Sequence, residues 1–207
     1  MEQLLKMNFK QLKNEYKAKK KLLKERISQF RQLKEEDYFP ELMFCVLTPQ
    51  SNAKKCWDAV KQLQKLQNPS EKEVNFILKS RTRFHNNKTK YILEAQKAWN
   101  NLKTALKNSN IPELRNFLAD NVKGYGLKEA SHFLRNTGKS NNQTAILDRH
   151  ILKNMKEIGI ISEAKVKSRK DYLEKEQKFL KLAEKAKIPA DELDLLLWSR
   201  ENGEIFK

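Results

Sequence analysis

The chain has 207 residues, 39% of them hydrophobic, with five Gly and five Pro, which is not the composition of a disordered polymer, so a packed core is expected. Against 26 Asp and Glu stand 43 Lys and Arg, and the resulting formal charge of +17 points to a polyanionic partner. No stretch approaches the ~18 apolar residues that cross a bilayer, and the two cysteines, Cys45 and Cys56, cannot supply a four-thiolate zinc or iron–sulfur site.

The opening MEQLLKMNFK lacks an apolar run followed by a small-residue cleavage site, so an intracellular protein is expected. Cations are spread among acids, as in KAKKKLLKER at 17–26, and neither end carries a lipidation signal. Nucleic acid is therefore the expected partner rather than a membrane, although single lysines within 1–36 read as a solvated helix face. Aliphatics recur every three or four residues and strand-like alternation is nearly absent, so the fold class is all-α.

In chain order, residues 1–36 read as one or two charged amphipathic helices with Leu12, Tyr16, Leu23, Ile27 and Phe30 near one face, and Pro40 marks a boundary. ELMFCVLTPQ at 41–50 predicts a buried helix ending near Pro49, and Ser51 or Asn52 caps the next one. Helices at roughly 71–80 and 88–107 follow. Asn110-Ile111-Pro112 opens another, whose Leu114, Phe117, Leu118 and Val122 point to a core.

The most informative segment is NVKGYGLKEASHFLRNTG at 121–138, where one helix runs into Gly124-Tyr125-Gly126 and a second starts at once. Glycine permits positive φ and close backbone approach, and the free N–H groups of the second helix favour an anion such as a DNA phosphate. Taken alone, this spacing is equally an ordinary connection between two helices. Twenty residues after Lys128, Asp148 stands just before an apolar-periodic helix through Ile151, Leu152 and Met155. As an N-cap it stabilises that helix by about 1 kcal/mol whatever else it does.

GYGLKEASHFLRNTG followed by AILDRHIL resembles the helix-hairpin-helix DNA glycosylases, and within them the small archaeal and bacterial 8-oxoguanine DNA glycosylase/AP lyases. FCVLT at 44–48, the RF before KTKYIL at 83–93, and LDLLLW with a Gly and a Lys at 193–207 extend the resemblance over nearly the whole chain. It implies an all-α fold of two lobes, one of residues 1–39 with 146–207 and one of 40–145 that contains the hairpin at about 111–138, with the active site in the cleft.

The same resemblance assigns roles. Lys128 becomes the nucleophile, which displaces the damaged base at C1′, forms a Schiff base and promotes β-elimination. An amine must be deprotonated to attack, and a free lysine has a pKa of about 10.4, so the helix terminus, neighbouring cations and partial burial are expected to lower it. Asp148 counters charge on the sugar and helps proton transfer. Gly124 and Gly126 bind DNA backbone. Phe84 and Trp198 become pocket aromatics for the extruded base, although Trp198 also reads as core. The main-chain carboxylate of Lys207 helps read the purine, and Asp194 is a further acceptor or a pairing group. Pro49-Gln50-Ser51-Asn52 departs from the family pattern, and Gln50 is a candidate duplex wedge.

The expectation is a bifunctional 8-oxoguanine glycosylase/AP lyase. It would act as a monomer on double-stranded DNA containing oxidised guanine, without cofactor or metal, in the nucleoid-associated cytoplasm of an archaeal or bacterial cell. Alternatives are a related glycosylase for another damaged base and a non-catalytic DNA-binding module. The endonuclease III branch is disfavoured because its iron–sulfur loop needs four cysteines.

Overall fold

A computed structural model describes residues 2–207, and the side chains of residues 9–201 and 203–207. The described residues form ten α-helices, a single 3-10 turn at Glu35–Asp37, and no strands. They pack as two compact units, Met1–Gln32 with Leu134–Lys207, and Leu33–Phe133. The boundaries expected at 39/40 and 145/146 thus fall at 32/33 and 133/134. Pro40 sits in the first turn of a helix, where its missing N–H costs nothing, instead of separating two elements.

The central unit, Leu33–Phe133, holds α2 (Tyr38–Leu47), α3 (Ala53–Leu63), α4 (Glu71–Lys79), α5 (His85–Ala105), α6 (Ile111–Asn121) and the start of α7 (Leu127–Asn136). Every residue of α2 from Pro40 to Leu47 is buried, because this helix packs against both α3 and α5. Phe44 at its middle meets Trp57 and His132 edge-on, with ring centroids 5.6 and 5.5 Å away. Local capping delimits the helices. Asn52 accepts from the Lys55 N–H, Ser70 and Glu73 form a reciprocal capping box, and Asn110 accepts from the Glu113 N–H. On α6 the buried face is Ile111, Leu114 and Leu118, followed by Val122. Phe117, expected in the core, is 37% exposed because it lies at the edge of that stripe.

The terminal unit is built from α1 (Glu2–Arg31), the end of α7, α8 (Arg149–Glu157), α9 (Arg169–Ala186) and α10 (Ala190–Asn202). Of the one or two helices expected over residues 1–36, the structure has one, α1, which stops at Arg31. Leu12, Leu23, Ile27 and Phe30 on it are buried as predicted. Helix α10 packs on α1, α8 and α9 at once, which is why LDLLLW shows no polar face. Its polar side chains must then find partners. Tyr16 Oη donates to Glu192 at 2.7 Å, Ser140 Oγ to Asp191 at 2.6 Å, Lys19 Nζ to Ser199 Oγ at 2.9 Å, and Arg135 Nη1 to Asp194.

Candidate active site

In the central unit the hairpin is a short bend held by backbone bonds. Helix α6 ends with the Val122 N–H on the Leu118 carbonyl, the Tyr125 N–H returns to the Val122 carbonyl, and α7 begins with the Ala130 N–H on the Gly126 carbonyl, at 3.0, 3.0 and 3.1 Å. Tyr125 anchors the bend from inside by donating its buried hydroxyl to the Leu42 carbonyl at 3.0 Å. Gly124 has φ +83°, and a Cβ there would lie 2.5 Å from Cδ2 of Tyr91. Both the left-handed backbone and the ring contact demand glycine. Gly124→Ala should therefore cost at least about 2 kcal/mol of stability in chemical denaturation and weaken DNA affinity. An alanine variant as stable as wild type would contradict this account of the bend.

The bend delivers Lys128 to the first turn of α7, with its side chain 28% exposed. Glu129 reaches back to the helix start. One of its oxygens accepts the Gly126 N–H at 3.0 Å, and the other lies 2.8 Å from Lys128 Nζ. The group touching the candidate nucleophile is thus an anion, where the sequence reading named cations and the helix terminus. Beside the bend, Val46, Pro49, Phe84, Lys88, Tyr91 and Gly124 help line a pocket of about 180 Å³. Phe84 stands at its rim, 52% exposed, with the Arg83 guanidinium 5.2 Å from its ring centroid.

Lys88, which the sequence analysis did not single out, is 4% exposed and donates to the Leu47 and Pro49 carbonyls and to Thr82 Oγ1, each at 2.8 Å. Burial pulls its pKa down to about 8, and the nearby Lys128 and Arg83 charges add to that, against Cys56 and Glu129. Nothing in the local pattern marks it, since a lysine in the first turn of a charged helix reads as solvated.

Asp148, Asp194, Trp198 and Lys207 belong to the terminal unit, whereas Gln50, Phe84, Gly124, Gly126 and Lys128 belong to the central one. Asp148 is the N-cap of α8, with one carboxylate oxygen accepting the His150 and Ile151 N–H groups at 2.8 Å each. Asp194 is wholly interior and ion-paired with Arg135, the pairing alternative of the sequence reading. Burial pushes its pKa up to about 7, and the Asp148 and Asp191 charges push the same way against the Arg135 cation. Trp198, near the end of α10, and Lys207 are half-buried. Gln50 is exposed, in the turn between α2 and α3.

The chain matches the helix-hairpin-helix 8-oxoguanine DNA glycosylase family over residues 23–188. An 8-oxoguanine DNA glycosylase/AP lyase of Fusobacterium nucleatum is 40% identical over 220 residues, covering 96% of this chain and 97% of that protein. The crystal structure of the 8-oxoguanine DNA glycosylase of Thermotoga maritima superposes with a TM-score of 0.88 at 36% identity, over 98% of this chain and 100% of that one. The Methanocaldococcus jannaschii 8-oxoguanine glycosylase/lyase, crystallised with a 15mer DNA containing 8-oxoguanine, superposes with a TM-score of 0.87 at 32% identity, over the full length of both chains.

Proposed function

The chain belongs to the 8-oxoguanine DNA glycosylase family, and from that membership we infer that it excises 8-oxoguanine from duplex DNA and cuts the strand at the abasic product. Lys128 acts as the nucleophile. Its neutral amine attacks C1′, the glycosidic bond breaks and its electron pair leaves with the base. The nitrogen, now bonded to C1′ and freed of the proton that goes to the departing base, opens the ring: the C1′–O4′ bond breaks, O4′ takes up a proton, and a protonated imine is left at C1′. Loss of a 2′ proton expels the 3′ phosphate by β-elimination. The observation that carries this reading is the bend at Gly124–Gly126, which sets Lys128 in the first turn of α7 beside backbone N–H groups suited to phosphate.

Asp148 offsets the positive charge that develops on the sugar and assists proton transfer, while its other task as N-cap fixes where the carboxylate stands. Gly124 and Gly126 let the DNA backbone approach. Phe84, Trp198 and the main-chain carboxylate of Lys207 are each assigned to recognition of the extruded purine, and Gln50 to the space that base leaves in the duplex. Asp194, occupied by Arg135, is assigned to support of α10 instead of to base contact. The archaeal and bacterial relatives and the DNA substrate support a nucleoid-associated, cytoplasmic setting, and among the described residues no helix is long and apolar enough to cross a membrane.

The test is direct. Purified protein incubated with a duplex carrying a single 8-oxoguanine should release the base, nick the strand, and form a borohydride-stable adduct. Its affinity should fall with salt by about 0.9 log units per log unit for each phosphate neutralised. Base release without adduct would remove the lysine mechanism, and binding without release would reduce the protein to a DNA-binding module.

A further inference from the structure

Two segments distant in sequence, residues 47–51 and 82–88, meet at the Lys88 ammonium. It donates to the last carbonyl of α2, Leu47, and to the Pro49 carbonyl in the following turn. It also donates to Thr82 Oγ1 just before α5, and Ser51 Oγ lies 3.2 Å away. The oxygens are joined to one another as well. Thr82 Oγ1 lies 2.8 Å from the Leu47 carbonyl and 2.9 Å from Ser51 Oγ, and Ser51 Oγ accepts the Arg83 N–H at 3.0 Å.

The cluster holds two residues in a conformation they disfavour. Gln50 has φ +55° and Phe84 has φ +56°, the left-handed region that a non-glycine residue enters at a cost of about 1–2 kcal/mol. Gln50 lies one residue from Pro49 and from Ser51, and Phe84 two residues from Thr82 and next to Arg83. Each strained residue is therefore bracketed by groups of the Lys88 cluster. Both present exposed side chains, Gln50 an amide of the kind that fills the space an extruded base leaves and Phe84 a ring of the kind that stacks on that base. Strain of this sort persists only where the surroundings over-determine it, and here they converge on a single buried cation.

We propose that Lys88 is a positioning residue whose ammonium holds Gln50 and Phe84 as a pre-shaped pair for opening the duplex, so that base extrusion depends on it more than bond chemistry does. This rests on the glycosylase reading above. The titratable groups that act on Lys88 are Lys128 and Glu129 on α7, Arg83, and the Cys56 thiol on α3, and among the described residues no carboxylate bonds its ammonium. Protonated, the nitrogen can fill three of its oxygen partners. As a neutral amine it must release at least one.

The experiment compares two substrates on the full chain. One is a duplex with 8-oxoguanine, which requires extrusion. The other is a single-stranded oligonucleotide with an abasic site, which does not. Lys88→Met keeps the side chain's length and apolar stem. It is expected to lower duplex excision by about 10²-fold while trapping on the single strand stays near wild type, and the fluorescence rise of a 2-aminopurine placed beside the lesion should shrink in parallel. Adding Gln50→Asn, which tolerates the left-handed conformation better, should restore part of the duplex activity. The wild-type ratio of duplex to single-strand rates should fall as pH rises through about 8, where the ammonium is lost, and Lys88→Met should show no such fall. Should Lys88→Met not fold, Thr82→Val, which removes one acceptor, carries the same comparison with a smaller effect. A Lys88→Met protein unimpaired on duplex, or impaired equally on both substrates, overturns the proposal. A wild-type protein inactive on both overturns the glycosylase reading instead.

Discussion

Lys128→Gln is expected to abolish the borohydride-trapped adduct and to lower 8-oxoguanine excision by roughly 10³-fold or more, with folding and duplex affinity little changed. The side chain is 28% exposed, so the substitution opens no core cavity. The ion pair it breaks, to Glu129, is partly solvated and worth about 1 kcal/mol or less. Glu129 retains its bond from the Gly126 N–H, so the start of α7 stays closed. What is lost is the nitrogen that forms the imine in this mechanism. The checks are trapping on lesion duplex, single-turnover excision, and a thermal melt that shows the fold intact. A Lys128→Gln protein that still trapped as wild type does would move the nucleophile elsewhere and remove the hairpin from the chemistry.

The second large effect concerns stability. Asp194→Ala should destabilise the protein by about 3–5 kcal/mol, because it leaves the Arg135 guanidinium buried without its anion. Arg135 has the uncharged Asn136 Oδ1 and Phe30 ring beside it, and the Asp191 carboxylate acts on it electrostatically without taking the place of that ion pair. In a melt the loss corresponds to about 2–4 °C per kcal/mol for a chain of this size.

The same carboxylate gives a pH signature. In the fold its pKa is pushed up to about 7, chiefly by burial, from the ordinary 3.8. Between those values the folded state therefore binds more protons than the unfolded state. The group's contribution to stability is present in full below about pH 4 and is lost as pH rises through about 7. Wild-type melting temperature should carry this downward component from pH 5 to 8, and Asp194→Asn, which cannot ionise, should lack it. If the two proteins showed the same slope, Asp194 would be ionised throughout and the pair with Arg135 would outweigh burial.

Helix positions and much of the candidate site were legible in the chain because they follow from local rules. Asn52, Asn110 and Asp148 act as caps through bonds to backbone N–H groups two or three residues on. Gly124 is required at a bend that its neighbours define, and the burial of Leu12, Leu23, Ile27 and Phe30 follows from spacing along one helix. Where the reading went astray, distance or a marginal position was the cause. Periodicity gives the direction of a buried stripe without its width, so Phe117 was placed in a core whose edge it only borders. A proline reads as a boundary, yet a first helical turn accommodates it equally well, and Pro40 stands in one.

By composition and local pattern alone, the chain determined that it is helical, that it seeks a polyanion, and that a lysine follows a glycine bend. Only the tertiary structure decided which of its many charged side chains lie inside. Lys88 meets the Leu47 carbonyl across 41 positions of chain, and Arg135 meets Asp194 across 59. Neither burial has a periodic signature, because the cost of desolvating a charge is offset by partners that folding alone brings within reach.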